Sequence, residues 1–390
     1  MLQLLLGGSG SGKTTLLYQR IRARAEKGEK SILLVPEQFT SSTEGRIYRE
    51  LGDALSGMVE SFSFTSLAEK ILSTEGGAAV QTLSDAGRAV LVRRALEELQ
   101  DNVHYYHRHR RSAAFCQMAA QTIDELKSAG LSGRQLAQLA GACGAESGKL
   151  SELALIFQGY ETLLARSGMD PSDRLELAGA RLEEALARHS LPEFLRDRAV
   201  FIDEFDTFNA PKKRLLGAML AALPSVTVAL CDDGAPLLPG DLSLFSGAKQ
   251  VAAQLRQLAR KNGAEVAVPQ LLRKDLRHRN APGLAAVAEL LETGSCTADA
   301  PAGEVRLFAA PSREEEARAA AGAIRRLMRQ GVRCGKIAVV CRDIAKYRAA
   351  VRYEFRMAEI PLYCDEPTPR NSAPRPRRCG PCWRSPGEPT

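Results

Sequence analysis

The chain has 390 residues, 45% of them hydrophobic and 25% charged, with a formal net charge of +7. That length predicts two or three domains, and that balance excludes an intrinsically disordered chain. No apolar run approaches membrane-spanning length, and the opening Met1-Leu2-Gln3-Leu4-Leu5-Leu6 lacks the basic start of a secretory leader, so a cytoplasmic protein with no membrane attachment is expected.

The apolar run at residues 2–6 predicts a strand, and residues 14–27 predict a helix. Between them stands Gly7-Gly8-Ser9-Gly10-Ser11-Gly12-Lys13-Thr14, a complete G-x-x-x-x-G-K-[ST] phosphate-binding loop in the strand–loop–helix setting that the motif needs. Glycines let the backbone curl so that its N–H groups point inward at a triphosphate, and the helix N-terminus adds partial positive charge. In this arrangement Gly7, Gly8, Ser9, Gly10, Ser11 and Gly12 cradle ATP, Lys13 reaches the β- and γ-phosphates, and the Thr14 hydroxyl ligates Mg²⁺. A glycine-rich turn before a helix is the structural alternative.

Residues 31–35 form a second β-like run closed by Pro36, completing a βαβ unit, and Val35-Pro36-Glu37-Gln38-Phe39-Thr40 follows at once. A third strand is expected at 58–63, followed by a helix at 65–72. Strands alternating with helices imply a parallel sheet covered on both faces. From 84 to about 189 helical patterns dominate, at 85–99, 115–129, 151–166 and 173–189, with Ser84, Ser151 and Ser172 as N-cap candidates. Strand character returns at 199–204, a helix runs from Pro211 to about 223, and a buried-type strand spans 226–230. After a Gly/Pro/Asp-rich loop at 234–247, a helix is expected at 248–262. A second βαβ unit is predicted from a strand at 304–309, a helix at 313–330, a strand at 336–340 and a helix at 345–358.

Asp203-Glu204 ends an apolar strand, where a P-loop protein places its magnesium-side carboxylate. Asp203 is assigned to Mg²⁺ and Glu204 to orienting or deprotonating the attacking water, with Lys13 as the other catalytic group. The alternative is a pair of solvated acids. Nine scattered cysteines suit reduced thiols, and the lone C-x-x-C, Cys379 and Cys382, lacks the second pair of a zinc or cluster site. The basic clusters 107–111, 212–214 and 273–279 are either solvated faces or contacts for a polyanion. Residues 368–390 are Pro/Arg-rich without periodicity, as expected of a disordered tail left by truncation or an altered reading frame.

Taken in order, Gly7–Thr14, Leu34-Val35-Pro36-Glu37-Gln38, Ser61-Phe62-Ser63, residues 200–205, Ile337-Ala338-Val339-Val340-Cys341-Arg342-Asp343 and Ile360-Pro361-Leu362-Tyr363-Cys364-Asp365 resemble the N-terminal part of the B subunit of the bacterial AddAB helicase–nuclease. The resemblance covers residues 1–365, and the Val-Pro-Glu-Gln segment is its most specific element. It implies the superfamily 1, UvrD-like fold: an α/β P-loop NTPase (RecA-like) parallel sheet from 1–83 and 195–275, a helical insertion at 84–194, and the start of a second RecA-like domain at 276–367. It also implies a subunit of an ATP-dependent machine that unwinds and degrades DNA at double-strand breaks for homologous recombination. Its partners would be single-stranded and duplex DNA and an AddA-like subunit that serves as the main motor, leaving this subunit to bind DNA and recognise Chi. The family's iron–sulfur cluster and nuclease residues match nothing here.

Two departures bear on the motor role. Active members of the superfamily carry Gln soon after Asp-Glu, where this chain has Phe205-Asp206-Thr207, and Gly-Asp then Gln after the next strand, where it has Cys231-Asp232-Asp233-Gly234. Single-stranded DNA lying across such domains needs cations for phosphates and aromatic faces for bases, for which Phe39, Phe62, Phe64 and Arg342 are candidates. Phe62 and Phe64 have a core reading as the alternative. Two other classes stay open: a P-loop kinase or other phosphotransferase, and a non-catalytic DNA-binding scaffold that uses ATP to lock its domains.

Overall fold

A computed structural model of the chain describes residues 1–77, 79, 81–144, 147–295 and 304–364. Cys296, the Cys379/Cys382 pair and the expected tail lie outside the described residues. The chain divides into two compact units between Glu304 and Val305. The first unit opens with β1 (Leu2–Gly7), α1 (Lys13–Ala25), β2 (Ser31–Leu34), α2 (Thr40–Leu51), α3 (Asp53–Ser56), β3 (Val59–Phe62) and α4 (Phe64–Glu75). Helices α5 (Asp85–Glu98), α6 (Ala113–Ser128), α7 (Gly133–Ala140), α8 (Ser147–Ser167) and α9 (Pro171–Ala187) follow. The unit closes with β4 (Ala199–Ile202), α10 (Ala210–Ala222), β5 (Ser225–Cys231), α11 (Ser246–Lys261), β6 (Gln270–Leu272) and α12 (Pro282–Thr293).

The six strands form one parallel sheet in the order β3-β2-β4-β5-β1-β6. Side chains alternate across it as strand geometry dictates. Leu4, Leu6, Ile32, Leu34, Val200, Ile202, Val226 and Val228 enter a core shared with α4, α9, α10 and α11. Leu5, Leu33, Phe201 and Ala229 face α1 and α2 on the other side. Both faces are therefore covered, which is why these strands are near-continuously apolar. Helices α5 to α8 enclose a separate core around Val92, Ile123, Phe157 and Tyr160, while α9 packs its Leu175, Ala178 and Leu182 into the sheet-side core.

Most predicted elements lie within a few residues of their observed bounds, and Ser84 caps α5 by accepting the Gly87 N–H. Two caps are corrected. Ser151 is inside α8, which begins a turn earlier, and α9 starts after Asp170 with Pro171 in its first turn, so Ser172 is already helical. Helices α2, α3, α7 and α12 and strand β6 are not read from the sequence.

The second unit holds α13 (Arg313–Arg329) and α14 (Ile344–Met357), joined by Arg318–Glu354 at 3.0 Å and by the Tyr347 hydroxyl donating to Glu316 at 2.8 Å. The strands expected at 304–309 and 336–340 are corrected: neither segment is paired, and Leu307 and Val340 are exposed. Two short parallel strands cannot stand alone; they need further strands beside them to satisfy their backbone groups.

Candidate functional site

The C-terminal ends of the parallel strands set the site, as open α/β sheets generally do. β1 ends at Gly7, level with Cys231 of β5, and β4 ends at Ile202 on the other side of β5. Asp203 thus emerges one strand away from the glycine loop.

In the loop, Gly10 and Gly12 have φ of 79° and 91°, the left-handed region that glycine occupies without cost. A Cβ at Gly10 would also stand 2.6 Å from Arg277 Cβ, so only glycine fits. The Lys13 ammonium donates to the carbonyls of Gly7 and Gly8, each at 2.8 Å. Burial lowers its pKa, with Asp203 and Glu292 opposing and Arg277 adding to the fall. The Ser11 hydroxyl is buried without a hydrogen-bond partner. These features fit an anion: a curled backbone that no Cβ could share, a flanking ammonium, and a buried polar atom awaiting a partner.

Asp203 is 6% exposed. Its carboxylate accepts the Glu204 N–H at 3.0 Å, and Thr14 of the loop lines the same cleft. Burial pushes the Asp203 carboxyl above the usual aspartate range, and Thr14, the Glu204 N–H, Arg46 and Lys13 pull against it. Glu204 is exposed, and partial desolvation of its carboxyl together with the Asp203 charge raises its pKa. It holds a left-handed backbone, φ 66°, which costs a non-glycine residue about 1–2 kcal/mol. A cleft of about 550 Å³ opens between these groups, lined by Thr14, Tyr18, Phe39, Arg46, Asp203 and Glu204. Arg46 lies over the Tyr18 ring at 4.8 Å. At the end of β5, Asp232 is buried, donates its N–H to Gly7 O at 3.2 Å and accepts the Gly234 N–H at 2.7 Å.

Arg277 was missed as an individual residue, although its basic cluster 273–279 was visible. The Leu276 N–H donates to Gly10 O at 3.0 Å, and the Arg277 guanidinium donates to Ser9 Oγ at 3.1 Å. A cation therefore flanks the loop on the side opposite Asp203's strand. Glu292 of α12 approaches as well; a Cβ at Gly8 would lie 2.8 Å from its Oε1. Arg46 was likewise unforeseen, since α2 was not predicted and only its packing brings Arg46 to the cleft.

The aromatic candidates separate. Phe39 is 37% exposed and lines the cleft. Glu37, two residues before it, accepts the Thr65 hydroxyl at 2.7 Å and so ties the Val-Pro-Glu-Gln segment to the start of α4. Phe62 is partly buried against the sheet-side core. Phe64 is corrected: at 1% exposure it packs edge-on against Phe205 and Phe208, with centroids 5.2 and 6.0 Å apart, and has no free face for a base. Arg342 is exposed in the second unit. That unit also contains a cavity of about 1090 Å³, lined mainly by apolar side chains such as Ile324, Ile337, Val351 and Phe355. The charged cleft of the first unit is the better match for a polyphosphate.

Comparison with known proteins places the chain in a family. A family model described as "ADDB, N-terminal" matches residues 4–288. The chain is 34% identical, over 94% of its length, to the B subunit of the ATP-dependent helicase/deoxyribonuclease of Desulforudis audaxviator, covering 32% of that protein. The proteins of the same name from Symbiobacterium thermophilum and Geobacillus kaustophilus are 33% and 31% identical over 93% and 96% of the chain, which covers 32% and 33% of their lengths. The chain thus spans about a third of the curated relatives it matches.

Proposed function

The chain belongs to the AddB N-terminal family, and from that premise we propose that it is the ATP-binding part of a subunit of a DNA helicase–nuclease complex that processes double-strand breaks. The relatives' shared name supports the complex, and the charged cleft supports the nucleotide. In this reading the sheet is RecA-like, with its P-loop and acidic strands separated by a single strand. Its domains run 1–83 with 195–275, then the insertion at 84–194, then the beginning of a second RecA-like domain at 276–367. The observation that carries the proposal is that Thr14, at the end of the glycine loop, and Asp203, at the acidic strand tip, line one cleft at the C-terminal ends of the strands.

The residues present fit Mg·ATP. The loop amides and Lys13 would receive the phosphates, and Arg277 would add a second cation beside Ser9. Thr14 and Asp203 would hold Mg²⁺, which would supply charge neutralisation to the polyphosphate. Glu204, exposed on the cleft beside Asp203, would orient the attacking water. DNA and an AddA-like subunit are the proposed partners, with Chi recognition as part of this subunit's task.

A second reading, ATP held as a structural lock within a DNA-binding scaffold, is favoured by one feature. The segment Phe205-Asp206-Thr207, where an active motor would carry its coupling glutamine soon after Asp-Glu, holds no glutamine. Phe205 is buried and stacked on Phe208 at 5.5 Å, and Asp206 lines the cleft with a carboxylate, which cannot donate to a γ-phosphate as an amide would.

Lys13→Ala tests both readings. Loss of one charge-assisted contact lowers affinity for Mg·ATP by roughly tenfold to a hundredfold, measured by calorimetry on the chain. Unchanged affinity defeats the nucleotide-site proposal. In the complex reassembled with an AddA-like partner and DNA, a fall in the ATP turnover attributable to this subunit supports hydrolysis here. Unaltered turnover alongside lost binding supports the lock.

A further inference from the structure

The connection between α5 and α6 contains His104-Tyr105-Tyr106-His107-Arg108-His109-Arg110-Arg111, with three of the chain's five histidines and three arginines in eight residues. Its backbone is fastened from below. The Glu152 carboxylate of α8 accepts the N–H groups of His104 at 2.9 Å, Tyr105 at 2.7 Å and Tyr106 at 3.1 Å. Charge-assisted bonds to successive amides fix a loop more firmly than neutral ones. Val103 is buried, and the Tyr106 ring packs on Phe115 of α6 at 5.3 Å. One side of the loop is thus anchored in the insertion's core.

The other side is charged and uncovered. Tyr105, Arg108 and Arg111 are exposed, and Lys149 stands over the Tyr105 ring at 5.2 Å. The arginines of the preceding helix are neutralised: Arg93 pairs with Glu97 and Arg94 with Glu98, both at 3.1 Å. Among the described residues, Arg108, Arg110 and Arg111 have no ion pair, and Arg110 instead contacts the His107 ring at 3.2 Å. Glu152 is committed to the amides, which leaves Asp101 as the acid nearest in sequence. A fixed loop that crowds unneutralised guanidinium groups is matched by a ligand with closely spaced negative charges.

We propose that this loop is a nucleic-acid contact separate from the glycine loop, and that its arginines hold the sugar-phosphate backbone of DNA. This rests on the proposed DNA-binding function; an acidic protein partner is the competing outcome. Guanidinium groups pair with phosphates bidentately, and each phosphate neutralised releases counterions, which gives a measurable signature.

The experiment compares the chain with its Arg108→Gln/Arg110→Gln/Arg111→Gln variant. Affinity for a labelled blunt duplex and for one of its strands is measured by fluorescence anisotropy across a sodium chloride series. The plot of log affinity against log salt should lose up to about 2.7 units of slope for duplex, or about 2.1 for single strand. The arm that loses the larger fraction of its own maximum identifies the form of DNA held. Affinity at low salt should fall roughly tenfold or more. Glu152→Ala supplies an independent check. Charge counting alone predicts tighter binding after loss of a carboxylate, whereas release of the fastened loop predicts weaker binding. Parental binding with an unchanged slope in the triple variant overturns the loop assignment and leaves the DNA reading standing. Failure of the parent chain to bind either DNA overturns both. Equal arginine dependence for polyglutamate at matched charge also overturns the assignment, in favour of an acidic protein partner.

Discussion

Asp203 carries opposed demands in one carboxylate. Burial favours its neutral form, while Thr14, the Glu204 N–H, Arg46 and Lys13 favour the charged one, and burial prevails. The sign of the pH dependence follows. Because the folded-state pKa is raised, this group's contribution to stability is fully present below the unfolded value near 3.8 and is lost as pH rises through the raised folded value. Mg·ATP binding runs the other way, since a metal needs the ionised carboxylate. Affinity should therefore decline on acidification at a higher pH than an ordinary aspartate would give. Asp203→Asn should leave the apo chain's unfolding midpoint unchanged or slightly higher, and should remove the Mg²⁺ dependence of nucleotide affinity. A melting series over mildly acidic to neutral pH, paired with nucleotide titrations with and without Mg²⁺, measures both effects. A variant with parental Mg²⁺ dependence would exclude Asp203 from metal binding.

At the scale of elements, the insertion helices are held to α9 by a buried polar knot. Asp170, 1% exposed at the start of α9, accepts the Lys127 ammonium of α6 at 2.8 Å and the Tyr160 hydroxyl of α8 at 2.7 Å. Burial opposes the charge on Lys127, but Asp170 and Asp173 outweigh it and hold its pKa above the usual range. Asp170→Ala would leave the buried Tyr160 hydroxyl without its acceptor and the Lys127 ammonium paired with Asp173 alone, at a cost of about 1–3 kcal/mol, to be read from urea unfolding. A loss below 1 kcal/mol would show that water replaces the carboxylate without penalty. The elements legible in the sequence are those with strong local signals: β1, β2, β4 and β5 through apolar runs, and α5 and α6 through periodicity. The unforeseen ones lack such signals. Helix α2 contains a Ser/Thr-rich start and a glycine, which give it weak intrinsic helix preference. It is held by burying Thr43, Ile47 and Leu51 at helical spacing. Strand β6 has three residues, and its pairing with Leu5–Gly7 defines it.

For the molecule as a whole, the two units differ in what holds them. The first buries both faces of a six-stranded sheet. The second, from Val305 to the last described residue, Cys364, encloses a small cluster around Ala321, Ile324, Val351 and Phe355, and leaves Leu307, Phe308, Val340 and Tyr363 exposed. A unit of that size buries too little apolar surface to offset much chain entropy. Amide hydrogen exchange should therefore be faster in α13 and α14 than in β1, β4 and β5 by orders of magnitude. Equal protection in both units would mean that they unfold as one.

The sequence by itself determined the glycine loop, the acidic strand tip, the parallel α/β class and the family, because each is written in contiguous residues whose local geometry is nearly obligatory. Tertiary structure alone decided that Phe64 and Phe205 are core rather than surface, that Asp170 caps α9, that Arg46 reaches the cleft, and that Arg277 reaches the glycine loop. These outcomes depend on which distant segments pack together. Burial and electrostatic field at a residue are set by neighbours that one-dimensional spacing does not encode.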